Sequence, residues 1–133
     1  MDYSKEELSG IYELGKMYFE MGFFVPAERI FSGLIGIEGS MIPARLGLGL
    51  IKLERGLYQE ATLHFRQVLQ SGSYAIHAKL GLVSAFIGMQ EMSRARSLIA
   101  EIAKELPQHS NVGSEIRMLA QAFAVRCGAE GVR

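Results

Sequence analysis

Side chains of matching type recur every 34 residues along this chain. Ala27, Ala61 and Ala95 hold that spacing, as do Phe31, Phe65 and Ile99, and Leu34, Val68 and Ile102. Upstream of each set, Leu14, Leu48 and Leu82 keep the same interval, with Gly15, Gly49 and Val83 beside them. A repeat this short is one supersecondary unit that cannot bury an apolar face alone, so successive copies must stack and share a continuous core. The chain of 133 residues is 49% hydrophobic and has only 3 Pro, which is enough apolar surface for one such core in one domain over 1–133.

The period and these residues resemble the tetratricopeptide repeat (TPR) family over about residues 8–107. The resemblance implies an all-α, right-handed superhelix of three helix-turn-helix repeats, at about 8–41, 42–75 and 76–109, with a C-terminal capping helix at about 112–126. In that family a Leu-Gly pair on helix A admits helix B. A bulky residue follows one turn later (Tyr18, Phe86), and a small one lies at the crossing (Ala27, Ala61, Ala95). Pro107 stands where helix B often closes, a place held by Gly39 and Ser73 in the first two repeats. Three departures are local. Lys52 replaces the bulky residue, Val83 replaces Gly, and Ile11, Arg45 and Lys79 occupy the slot where a Trp is typical.

Local signals predict helices over about 5–21, 25–37, 42–55, 58–70, 74–88, 91–105 and 112–126. Ser4 and Glu7 have capping-box spacing, Ser40 can cap the third helix and Ser110 or Asn111 the seventh. Pro26 and Pro43 fall in first turns, where proline is tolerated. Ile116, Leu119, Ala120, Phe123 and Ala124 lie at helical spacing and are expected to cover the outer side of repeat three. Gly33 and Gly36 are read as tight packing between repeats.

By the family's geometry the A helices line a concave groove. The groove positions are Tyr12, Lys16 and Phe19 in repeat one, Leu46, Leu50 and Leu53 in repeat two, and Leu80, Ser84 and Ile87 in repeat three, with Leu57 extending the middle stripe. Leu46, Leu50 and Leu53 form a second apolar stripe on a helix that already buries Leu48 and Gly49. A large exposed apolar patch marks a binding surface. The occupant expected there is an amphipathic helix or apolar segment of another protein, a folded-back terminus or a second copy being the alternatives. A carboxylate-clamp groove is excluded, because Lys16 is nearly the only cation on this face.

Composition narrows the rest. Residues 1–40 carry a net −4 and residues 41–133 a net +4, balancing to zero, and no basic block is present to hold a nucleic acid. Cys127 is the only cysteine, the start lacks a signal peptide, and no apolar run reaches membrane-spanning length, so a cytoplasmic protein is expected. No enzyme, cofactor or metal site is expected. Asp2 is the only aspartate, Glu60 and His64 make two ligands without a third, and Gly47-x-Gly49 follows no strand.

The small size, the apolar groove and segments such as Gly15-Lys16-Met17-Tyr18-Phe19-Glu20-Met21-Gly22 are similar to the small TPR chaperones of bacterial type III secretion. That resemblance implies a chaperone that holds a polymerisation-prone needle subunit, together with a small helical co-chaperone. A chaperone of translocator proteins, or a scaffold subunit of a stable assembly, is the alternative, and a homodimer stays open.

Overall fold

The computed structural model describes residues 2–39, 41–108 and 113–128. Among them lie seven α-helices and no strand: α1 (Lys5–Glu20), α2 (Phe24–Ile37), α3 (Ile42–Glu54), α4 (Tyr58–Ser71), α5 (Ala75–Gly88), α6 (Met92–Glu105) and α7 (Ser114–Cys127). A short 3-10 turn, Leu106–Gln108, follows α6. Each helix packs on the next, and α1, α3, α5 and α7 also touch in succession, so alternate helices form one layer of a TPR-like stack.

Ser4 caps α1 as its spacing predicts. The hydroxyl accepts from Glu7 N at 3.1 Å and Ser4 N donates to the Glu7 carboxylate at 3.2 Å. Elsewhere the caps differ from expectation. Met41 is the N-cap of α3 and Gly113 that of α7, neither with a side-chain cap bond, while Ser40, Ser110 and Asn111 lie outside the described residues.

The core explains the period. The Phe31 ring lies between α1 and α3, where a β-carbon on Gly15 would come within 2.8 Å of it and one on Gly47 within 2.6 Å. One period later, the Phe65 ring meets Gly49 at 2.6 Å and Gly81 at 2.5 Å by the same measure. Phe31 and Phe65 therefore each sit in a socket made by glycines of their own and the following A helix. Gly47 and Gly49 thus thin α3 on two faces for two different rings. In the third copy, fully buried Val83 and Ile99 stand where Gly and Phe stand before. Gly33 and Gly36 correct the sequence reading. Both are exposed, and a β-carbon on either would meet nothing within 4 Å, so they are not packing contacts between repeats.

The buried side chains form two clusters. Ala27, Phe31 and Leu34 of α2 pack with Ala44, Leu48 and Ile51 of α3. The larger cluster, with Phe65, Ile99 and Ile102 fully buried, spans α4 to α7 and takes in Ala120 and Ala124. At ~25 cal/mol per Å2 of apolar area, these interlocked faces are what hold helices of 13 to 16 residues in place.

Polar side chains replace two family consensus positions. In the usual Trp slot, Arg45 donates to Gln67 of α4 at 2.6 Å, and Lys79 pairs with Glu105 of α6. Each ties an A helix to the B helix of its own repeat. Lys52, in the usual aromatic slot, pairs with Glu28 of α2 at 2.8 Å and Glu60 of α4 at 3.2 Å, and Arg55 joins Glu28 at 2.7 Å.

Candidate partner-binding groove

Helices α3 and α5 run side by side in the layer of A helices, and their facing side chains border a cavity of about 330 Å3. Leu46, Leu50 and Leu53 line it from α3, and Leu80, Gly81 and Ser84 from α5. The three α3 leucines are half-buried, with one side against the main core and the other toward the cavity. The second apolar stripe of this helix is therefore partly covered within the chain itself.

The rest of the cover comes from α7. Leu119 and Phe123 form the remaining apolar wall. α7 starts at Ser114, 39 residues after Ala75 begins α5. Shifted by that amount, Leu80 maps to Leu119, Ser84 to Phe123, and buried Gly81 and Ala85 to buried Ala120 and Ala124. The seventh helix is thus a fourth A helix. It covers repeat three, as its apolar spacing predicts, and in addition extends the groove. Ile116, expected on the same face, has its side chain outside the described residues.

The remaining predicted groove residues do not meet at this cavity. Ile87 is 9% exposed and belongs to the larger core cluster instead. Leu57 lies past the end of α3, as the N-cap of α4, and is 39% exposed. On α1, Tyr12 packs its ring on Phe31 at 5.7 Å and Phe19 on Phe24 at 5.7 Å, so both serve repeat one's core, while Lys16 is exposed. Burial foremost, then the neighbouring Tyr74, Glu13 and Glu20, raises the Tyr12 phenol above its usual range.

The polar groups at the cavity are Glu54, His77 and Ser84, with the His77 ring edge-on to Tyr74 at 5.7 Å. A carboxylate at the rim and no Lys or Arg in the lining are the opposite of what a bound carboxylate needs. The wall can accept apolar side chains and offer a hydroxyl and an imidazole to a backbone.

The Glu60–His64 pair is otherwise engaged. Glu60 holds Lys52, and His64 is half-buried with Nδ1 unbonded. Burial first, then Arg45 and Lys52, push the His64 imidazole below its usual range, which keeps it neutral. Among the described residues no three potential ligands gather for a metal; His109 and the Cys127 side chain lie outside them. No helix among the described residues is long and apolar enough to cross a membrane.

No curated protein matches the sequence. Two solved structures share the fold. One is PcrH from Pseudomonas aeruginosa, with a TM-score of 0.76 at 19% identity, covering 92% of this chain and 96% of that one. The other is the Yersinia enterocolitica type III secretion translocator chaperone SycD in an alternative dimer, with a TM-score of 0.74 at 17% identity and the same coverage. Residues 52–122, more than half of the chain, match the family pattern described as tetratricopeptide repeat, and with the glycine sockets and the 34-residue period this chain belongs to the tetratricopeptide repeat family.

Proposed function

We propose that this protein is a secretion chaperone that shields an apolar segment of an exported subunit in the groove between α3, α5 and α7, and that it catalyses nothing. The observation that carries the proposal is the cavity walled by Leu46, Leu50, Leu53, Leu80, Leu119 and Phe123, where the three α3 leucines and Phe123 stay half-buried and Leu119 exposed within the chain itself. At about 330 Å3 it lies at the small end of ligand pockets, about 300–1,000 Å3, and so suits a few anchoring side chains rather than a whole helix. Binding is non-covalent, and it removes from water the side chains through which the client would aggregate.

Between the two clients the sequence raises, we favour a translocator protein over a needle subunit. SycD, whose fold this chain shares over 92% of its length, is a type III secretion translocator chaperone. Length does not separate this chain from that translocator chaperone, because 96% of the SycD chain is covered. Both readings place the client in a cytoplasmic chaperone's groove.

Co-expression of the tagged protein with neighbouring secretion genes, followed by native mass spectrometry, tests the proposal. The expected result is a soluble complex with a translocator, lost in Leu50→Glu while circular dichroism keeps its helical signal. A needle subunit in the complex would change the client but keep the groove. Unchanged binding in Leu50→Glu would remove the groove from the proposal altogether.

A further inference from the structure

We infer that Tyr74 is a client-reading residue of the groove, its ring set beside the mouth of the cavity to pack on the apolar segment that the groove holds. The inference rests on the groove as the client's seat. It starts from a strained backbone whose side chain nothing inside the chain accounts for.

Tyr74 is the N-cap of α5 and lies in the left-handed region, at φ 57° and ψ 33°. A bulky side chain rarely adopts that conformation, because its β-carbon crowds the following carbonyl. The strain has a local origin. Three residues, Gly72 to Tyr74, join α4 to α5, where four join α2 to α3. The shorter connection turns through Gly72 at φ 79° as well as Tyr74, whereas the longer one enters α3 through Met41 at φ −76°. The turn therefore fixes the backbone at position 74 and leaves the side chain open. Glycine or asparagine would take the same conformation with less strain.

No task within the fold selects tyrosine at this place. Its side chain makes no cap bond to α5. Its ring is 45% exposed and belongs to neither core cluster. What the ring does meet is His77, edge-on at 5.7 Å, and His77 lines the cavity. After burial, Tyr74 is the leading cause that raises the Tyr12 phenol, so the two phenols lie near each other in the layer of A helices. A strained residue with its side chain open to water next to a binding cavity points to a role in binding. The cavity, at about 330 Å3, seats only a few side chains, and a segment anchored there that continues past His77 covers the Tyr74 ring. An aromatic ring covered in this way adds contact area at little cost in side-chain freedom.

Short peptides selected by phage display on the full chain are the probe, kept only where Leu50→Glu abolishes capture. Fluorescence anisotropy and thermal melting are then read on variants at position 74. Tyr74→Asn and Tyr74→Gly are expected to bind these peptides about fivefold more weakly while melting no lower than the parent chain. Tyr74→Phe keeps the ring and should match the parent in both. Gln90→Gly relieves the other left-handed side chain, which lies outside the cavity lining, and should leave the affinity unchanged. A merely structural tyrosine would lower the melting temperature on removal and leave the affinity alone, and that result would overturn the inference. So would full affinity in Tyr74→Asn while Leu50→Glu still abolishes binding, which leaves the groove standing without Tyr74. If no selected peptide depends on Leu50, the groove itself fails and the inference falls with it.

Discussion

Repeats one and two each close around a phenylalanine, and repeat three closes around an isoleucine. The Phe31 and Phe65 rings need Gly15 and Gly49 opposite them, where any β-carbon would fall inside 3 Å. Where Ile99 takes the ring's place, Val83 takes the glycine's, and both are fully buried. The two positions are thus one quantity, the combined volume across the A–B crossing, filled in two ways. A family consensus that asks for glycine at this station describes only half of the pair.

The comparison breaks most severely at the ring itself. Phe65→Ala is expected to cost about 3–5 kcal/mol, since the socket is walled by two helices that cannot both collapse into it. Gly49→Val alone should cost about 1–3 kcal/mol by overpacking. Joining Gly49→Val to Phe65→Ile moves the repeat-three pair into repeat two. It should be less destabilising than the two single changes together by about 1 kcal/mol or more. Gly81 still faces the smaller side chain, so recovery is incomplete. Urea unfolding of the four proteins measures the coupling, and strict additivity would mean that the two stations do not share a volume.

A second contrast separates Lys52 from Tyr18 and Phe86, which hold the same station in the other repeats. Hydrogen bonding to Lys52 lowers the Glu28 carboxylate below its ordinary value of 4.5, and the same bond raises Lys52 above 10.5. The carboxylate's contribution is complete above pH 4.5 and is lost as the pH falls through its lower folded value. His64, held neutral nearby, adds an earlier step. Its depressed folded value leaves its contribution complete above about 6.5 and lost as the pH falls through that folded value. Acid titration of stability should therefore decline in two stages. His64→Gln should remove the first, and Lys52→Met should blunt the second at a cost of about 1 kcal/mol near neutrality. A single stage unaffected by either change would refute the assignment.

What the sequence carries plainly is whatever obeys the period. The alanine and phenylalanine stations, the boundaries of the first six helices, and the Leu46–Leu50–Leu53 stripe were legible because each is a spacing on one helix. The α7 wall of the groove was not, because the connector before α7 lengthens the step from 34 to 39 and hides Leu119 and Phe123 from the repeat. Ile87 follows Leu80 by the same seven residues that separate Leu46 from Leu53, yet it lies in the core while Leu53 lines the cavity, a difference that spacing on one helix does not carry. The sockets were half visible. Gly15 and Gly49 follow the period with their own phenylalanines, but Gly47 and Gly81 serve the ring of the preceding repeat, a contact between copies that no single repeat contains. Gly33 and Gly36 show the converse, glycines in a helix that no neighbour requires.

The smallest predicted effect lies in the A–B turns, where the three repeats share one backbone and differ in one side chain. Gly22, Gly56 and Gln90 occupy the same station at φ of +82°, +74° and +61°. Their amides donate to Phe19, Leu53 and Ile87 at 3.0 Å each, and the next amides donate to Tyr18, Lys52 and Phe86 at 2.9, 2.8 and 2.8 Å. The helix end is therefore the same paired-bond turn in all three, a left-handed residue that satisfies carbonyls of the last turn. A β-carbon in that conformation costs roughly 1–2 kcal/mol, and glycine's extra freedom in the unfolded chain offsets roughly 0.5–1 kcal/mol of it. Gln90→Gly should accordingly stabilise the protein by about 0.5 kcal/mol, and Gly56→Gln should destabilise it by about as much. Scanning calorimetry would see about 2 °C in each direction. If Gln90→Gly instead lowers the melting temperature, its side chain makes a contribution that Gly22 and Gly56 lack, and the third turn is specialised rather than merely strained.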